Sequence, residues 1–228
     1  MGHQVTVVGH RGDPYRVREN TLASIRSAYA YGADTVEVDV RLTADRVPVL
    51  LHDATLKRLW GPAVRLDALT ADRLRALTDG GVPTLAETLA AVGDRPLLLD
   101  LPHASEAAAR RVVGVVRDAG AADRVHYCAG PAAMLGLRTA DPAAEIALTC
   151  TSAAAPRPAL LAAIRPRYLN YRFGLATSEL VTAVHHAGYL LSTWTPDTAR
   201  SLRRLVTAGV DSITTNRVDV LGRVLASR

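Results

Sequence analysis

The chain has 228 residues, 49% hydrophobic and 21% charged, which excludes a disordered polymer and sets the scale at one compact domain, two at most. No apolar run approaches the ~20 residues that span a bilayer. His10, Arg11 and Asp13 interrupt the N-terminal apolar stretch too early for a signal peptide, so a soluble, cytoplasmic protein is expected. The net charge of +5 is carried by scattered arginines mixed with acidic residues. Without a basic block, specific nucleic-acid binding is not expected, and a weak pull on anionic substrates is the better use of the charge.

Short β-branched runs recur at 5–8, 35–40, 47–51, 97–99, 124–127, 145–148, 168–171, 190–194 and 212–215. Helical periodicity is clearest over 20–31, 85–92, 105–119, 178–187 and 198–208. Several of these segments open on a capping residue (Asn20 or Thr21, Ser105, Ser178) and close near Gly32, Gly93, Gly120, Gly188 or Gly209. Such alternation predicts a parallel sheet covered by helices, either a closed (β/α)8 barrel or an open doubly wound sheet. No GxGxxG or GxxxxGK[ST] follows the first strand, which weakens the open dinucleotide-binding form.

Nine strand-like runs compete for eight barrel places, and the run at 145–149 is expected to lie outside the ring. The link between residues 40 and 47 is too short for a crossover helix. Its six or seven extended residues still reach about 20 Å, so the run at 47–51 is expected to be parallel, as the third strand. The loosened pattern from about 54 to 83, with one short helix at 70–77, reads as an insertion in a single domain, with too few apolar residues for its own core. Cys128 and Cys150 sit in apolar runs without metal-ligand spacing and are expected to be buried thiols.

Polar residues collect where strands end: Gly9-His10-Arg11-Gly12, then Glu19-Asn20-Thr21, Glu37-Val38-Asp39, His52-Asp53 and Asp100. In a parallel barrel those ends share one mouth. Glu37 and Asp39, two apart on a strand, project from the same face. Two such carboxylates among apolar residues need a positive partner. A hard divalent cation supplies it, with Asp100 as third ligand; ion pairs with Arg11 or Arg41 are the alternative. His10 and His52 at one mouth suit a pair that takes and gives a proton. Arg11 can fork to a phosphate, pair with Glu19, or do both. Together these groups read as hydrolysis or transfer at phosphorus.

Other polar candidates are weaker. Trp194 can wall the pocket or simply pack, and Asn216 follows the last strand, within reach of the same mouth. His103, His126, His185 and His186 read as surface or satisfied core residues, and His3 precedes the first strand.

These segments resemble the glycerophosphodiester phosphodiesterase family: Gly9-His10-Arg11-Gly12, Glu19-Asn20-Thr21, 33–40 and 47–53, and, beyond them, 67–70, 82–87, Trp194-Thr195 and 209–216. The resemblance implies a TIM (β/α)8 barrel with a small insertion after the third strand. It also implies hydrolysis of small-molecule glycerophosphodiesters to glycerol 3-phosphate and an alcohol, a role in lipid and glycerol metabolism. By the same resemblance, His10 and His52 are the acid–base pair and Arg11 holds the phosphate. Glu37 and Asp39, with Asp100, bind Ca²⁺ or Mg²⁺, Glu19 sits in or beside the metal and phosphate site, and Trp194 contacts substrate.

Two departures stand out. The family's Glu-x-Lys on the fourth strand is Asp100-Leu101-Pro102 here, and Asn216 replaces an aspartate. His103 and Arg172 are the candidates to replace the lost ammonium. The missing lysine keeps open a catalytically weakened phosphodiester-binding barrel, and a further alternative keeps the barrel but changes the chemistry, to a lyase-like enzyme that forms a cyclic phosphate from choline lysophospholipids.

Overall fold

The computed structural model describes residues 4–102 and 104–227, so His3 and His103 lie outside the described residues. Eight parallel strands close a ring: β1 (Thr6–His10), β2 (Thr35–Leu42), β4 (Leu97–Asp100), β5 (Val125–Ala129), β6 (Glu145–Cys150), β7 (Tyr168–Arg172), β8 (Leu190–Trp194) and β9 (Ser212–Thr215). The ring is sealed where β1 pairs with both β2 and β9. This is a TIM barrel.

Two expectations about the strands are corrected. The run at 145–149 is a ring member, as β6. The run at 47–51 forms β3 (Pro48–Leu50), which pairs antiparallel with β2 and stays outside the ring. The short link does not travel back along the strand. It closes a hairpin, with Thr43 N–H donating to Val47 O at 3.1 Å and Arg46 N–H to Thr43 O at 2.9 Å. A tight turn suffices for antiparallel neighbours, whereas a parallel return needs a dozen or more residues. The third ring strand is therefore β4, and the insertion falls between the second and third ring strands.

Strand alternation separates two environments. Outward residues such as Val7, Val36, Val38, Leu97, Leu99, Ile146, Leu169, Leu191 and Ile213 join the main apolar core beneath the helices. Around the ring those helices are α1 (Leu22–Ala30), α4 (Leu85–Val92), α5 (Glu106–Asp118), α6 (Pro131–Ala140), α7 (Pro158–Ile164), α8 (Ser178–His186), α9 (Ala199–Ala208) and α10 (Val218–Ala226). The cap of α8 is Thr177 and not Ser178: its hydroxyl accepts from Leu180 N–H. Inward residues are mostly polar, with Val8 and Leu98 among them, and a cavity of about 270 Å³ among Thr6, Thr35, His126, Ser192 and Ser212 lies at the strands' N-terminal ends, remote from Glu37, Asp39 and Asp100.

The insertion carries α2 (Lys57–Trp60), a 3-10 turn (Leu66–Ala68) and α3 (Ala71–Leu77). Contrary to expectation it has a small core of its own: Val49, Leu51, Leu56, Leu66, Leu69, Leu74 and Val82 pack together. Cys128 and Cys150 are buried free thiols. No helix among the described residues is long and apolar enough to cross a membrane.

Candidate active site at the barrel mouth

The site begins where β1 ends. After His10 the chain reverses through Arg11 (φ 54) and Gly12 (φ 88). A Cβ on Gly12 would lie 2.3 Å from Ser24 Oγ, so only glycine fits. The reversal aims the Arg11 backbone N–H at Glu37 Oε2, 2.9 Å away.

Glu37, Asp39 and Asp100 present ligand oxygens that all lie within 4.8 Å of one another. Glu37 and Asp39 are 4% and 1% exposed, too buried for water to screen their repulsion. Burial, then the neighbouring Asp39 and Asp100, pushes the Glu37 carboxyl well above its ordinary range. Asp100 is pushed up to about 6, by burial first and Asp39 second. Positive charge is scarce. Arg11 Nε lies 3.1 Å from Asp39 Oδ2, off the line of a hydrogen bond, and Nη1 is bonded to Glu19 Oε1 at 2.9 Å. Three carboxylates against one shared guanidinium leave an excess that a hard divalent cation fits, and the all-oxygen donor set suits one.

Asn20 clamps the cluster. Its Nδ2 donates to Asp39 Oδ2 at 2.8 Å while its Oδ1 accepts from Asp39 N–H at 3.1 Å. Asn20 adopts φ 54, a left-handed conformation that asparagine tolerates better than most residues.

The two histidines are held differently. His10 Nδ1 meets Asn216 Oδ1 at 2.7 Å, and Nε2 lies 4.0 Å from Glu37 Oε2. Burial, and then Arg11, lowers the His10 pKa, which favours the neutral ring. His52 Nδ1 pairs with Asp53 Oδ1 at 2.8 Å, and its backbone carbonyl accepts from Arg41 Nε at 2.6 Å. Arg58, on α2 of the insertion, donates to Asp53 Oδ2 at 2.6 Å and to both Glu19 oxygens at 2.6 and 2.9 Å. Hydrogen bonds from Arg58, then His52, hold the Asp53 carboxyl down at about 2, so it accepts from His52 Nδ1–H. Although desolvation opposes it, the Arg58 and Arg11 contacts keep Glu19 below its ordinary range. Glu19 therefore grips two guanidinium groups and is not one of the three clustered carboxylates.

The opposite wall carries Trp194 and Arg172, registered side by side at the ends of β8 and β7. Their alternation with Ser192 and Asn170, bonded to each other inside the barrel, turns both toward the mouth. Arg172 is exposed and has no ion pair among the described residues. In ring order β7 stands four strands from β2, so this cation faces the carboxylates from across the mouth. Pro102 follows β4 and offers no charge. His126 and His185 have carboxylate partners of their own, Glu145 at 3.0 Å and Asp211 at 2.7 Å.

Sequence reading did not single out three residues of this network. Arg58 had no local signal. Asn20 reads from sequence as a candidate helix cap, a task that falls to Thr21. Asp197, in the loop after β8, accepts from Asn216 Nδ2 at 2.7 Å and was visible in principle as a polar residue beyond a strand's C-terminal end.

A closed parallel barrel with an acidic cluster, two histidines and a guanidinium at the C-terminal ends of its strands is a TIM barrel whose mouth suits phosphoryl chemistry. The comparisons specify the class. The model of the glycerophosphoryl diester phosphodiesterase family matches residues 10–220. A glycerophosphodiester phosphodiesterase from Caldanaerobacter subterraneus subsp. tengcongensis is 27% identical, over 94% of this chain and 95% of that one. The crystal structure of a glycerophosphodiester phosphodiesterase from Parabacteroides distasonis superposes with TM-score 0.86 at 25% identity, covering 100% of this chain and 99% of that one. A phosphodiesterase from Oleispira antarctica, solved with the product sn-glycerol-3-phosphate, shares the fold at TM-score 0.86 and 20% identity, covering 97% of this chain and 96% of that one. The chain belongs to the glycerophosphoryl diester phosphodiesterase family and is a phosphoric diester hydrolase.

Proposed function

We propose that the protein hydrolyses glycerophosphodiesters to glycerol 3-phosphate and an alcohol, using His10 and His52 for proton transfer beside a divalent cation, Ca²⁺ or Mg²⁺. The observation that carries this reading is the convergence of three carboxylates within 4.8 Å, with His10 Nε2 4.0 Å from one of them. Family membership and the product-bound Oleispira neighbour support the substrate class.

Glu37, Asp39 and Asp100 would hold the cation, which when bound polarises a phosphoryl oxygen and offsets its charge. Arg11 would meet the phosphate through Nη2, which makes no hydrogen bond among the described residues, while Glu19 holds Nη1. His10, kept neutral by burial, takes the proton of the attacking hydroxyl at Nε2, whether that hydroxyl belongs to the substrate's glycerol or to water. His52, aligned through Nδ1 by Asp53, gives a proton to the leaving oxygen from Nε2. Trp194 and Arg172 border the space for the departing alcohol, with Arg172 supplying from across the mouth the positive charge that Pro102 lacks.

The test is a coupled assay for glycerol 3-phosphate released from glycerophosphocholine and glycerophosphoethanolamine, with Ca²⁺ or Mg²⁺ and with EDTA. Release that EDTA and His10→Ala each abolish is expected. Binding without release would leave a phosphodiester-binding barrel in its place, and a cyclic phosphate that persists would show a lyase.

A further inference from the structure

His10 is oriented by a two-step chain that begins in the loop after β8. Its Nδ1 faces the Asn216 Oδ1 atom at 2.7 Å, and the Asn216 Nδ2 atom faces Asp197 Oδ2, also at 2.7 Å. A second anchor fixes the geometry: the Asn216 backbone N–H donates to Asp197 Oδ1 at 2.9 Å. We propose that Asp197 is a positioning residue that sets the tautomer of His10 through the Asn216 side chain. The inference rests on the reading of His10 as the group that takes a proton.

The reasoning is donor and acceptor arithmetic. The two ends of an asparagine amide are nearly equal in size, so what lies behind the amide decides which end faces the imidazole. An ionised carboxylate only accepts, so Asp197 draws the NH₂ end toward itself and leaves the carbonyl end for His10. A carbonyl oxygen also only accepts, so His10 Nδ1 carries the hydrogen. The Nε2 lone pair then points to the carboxylate side of the mouth, 4.0 Å from Glu37 Oε2. With the amide reversed, its NH₂ would face Nδ1, the ring hydrogen would move to Nε2, and no lone pair would remain there to accept a proton. Asp197 thus governs the side of the ring that faces substrate without touching substrate itself. Neighbouring ring strands supply the parts: Asn216 directly follows β9, and Asp197 lies three residues past the end of β8.

The test uses the full-length protein, with Asp197→Ala, the reciprocal double variant combining Asp197→Asn with Asn216→Asp, and ¹⁵N-histidine labelling. The His10 resonances are assigned by their loss in His10→Gln. In EDTA at alkaline pH the parent is expected to show the ring hydrogen on Nδ1. Asp197→Ala is expected to shift it toward Nε2 and to lower kcat by about 10- to 100-fold, with KM within about twofold of the parent. In the double variant the carboxylate introduced at position 216 would accept directly from Nδ1 while the amide introduced at position 197 donates to it. The Nδ1–H form is then expected to return and kcat to recover to within about threefold of the parent. Asp197→Ala that leaves the His10 spectrum unchanged overturns the proposal, whatever its effect on thermal stability. A double variant that folds but stays on the Nε2–H tautomer overturns it as well. Because the spectrum is read without substrate, a parent inactive on every glycerophosphodiester would sink the proposed reaction and leave this result standing by itself.

Discussion

Asp100→Asn should make the protein more stable in EDTA and less responsive to calcium, because the carboxylate is held for a cation at a cost to the fold. Burial, and then Asp39, pushes its carboxyl up to about 6 from an ordinary value of 3.8. At about 1.36 kcal/mol per pH unit, carrying the ionised group costs the folded state about 3 kcal/mol. Between those two values the folded chain binds more protons than the unfolded chain, so the stability of the parent falls as pH rises through the window. Asparagine does not titrate. The variant should therefore match the parent near pH 4 and exceed it by about 3 kcal/mol above pH ~6. For a chain of this size that is a rise of about 6–12 °C in Tm. Saturation with Ca²⁺ at about 100 times Kd should return ~2.7 kcal/mol to the parent and much less to the variant, closing the gap. Calorimetry across pH, with EDTA and with Ca²⁺, reads all of this. A variant that tracks the parent at every pH, or an equal calcium shift in both, would refute the assignment of Asp100 as a strained ligand.

Three further substitutions probe the supports. Asn20→Ala removes both bonds to Asp39 and should weaken cation affinity by about 10- to 100-fold while sparing kcat at saturating cation, measured by calorimetric titration. His52→Ala should lower kcat by about 10²–10⁴-fold with an unchanged circular dichroism spectrum, and an unaltered rate would remove it from the mechanism. Arg58→Met removes the bonds that tie Asp53 and Glu19 to one guanidinium, leaving them His52 and Arg11 respectively. It should cost about tenfold in kcat, with cation affinity retained, and equal loss of both would mean that Arg58 supports the metal cluster instead.

What the sequence disclosed about the helices tracks one local feature. The helices legible in the sequence, α1, α4, α5, α8 and α9 from periodicity and α3 as the short helix of the insertion, all begin with a Ser or Thr hydroxyl accepting a backbone N–H. α6, α7 and α10, which periodicity did not single out, start without any side-chain cap. Two of them open on proline, Pro131 and Pro158, whose fixed φ suits the first turn but reads equally well as a loop. Tertiary packing on the barrel completes what local signals leave open. The site was legible for a similar reason. His10, Arg11, Glu37 and Asp39 come from adjacent strands whose ends must share a mouth, whereas Arg58 and Asp197 enter from loops whose paths no periodicity encodes.

The corrected direction of β3 shows why the histidine assignment was insensitive to topology. A parallel strand ending at His52 delivers that residue to the mouth, and so does a hairpin strand that returns to it from beyond. Val40 pairs with Leu50, and Leu51 N–H donates to Asp39 O at 3.0 Å, so His52 arrives level with the carboxylates by either path. What differs is the support. His10 ends a five-residue strand paired on both sides within the ring, while His52 follows a three-residue strand outside it, paired with β2 on one side and tied on the other by a Val49–Thr84 bridge and Leu50 N–H donating to Pro83 O at 3.0 Å. Past that strand, its hold on the site depends on side chains, Arg41, Asp53 and Arg58. Amide hydrogen exchange should therefore be faster over residues 51–58 than over residues 7–10, by a factor that rises further in Arg58→Met. Equal protection of the two segments would mean that the apolar cluster around Leu51 and Leu56 anchors His52 as firmly as the ring anchors His10.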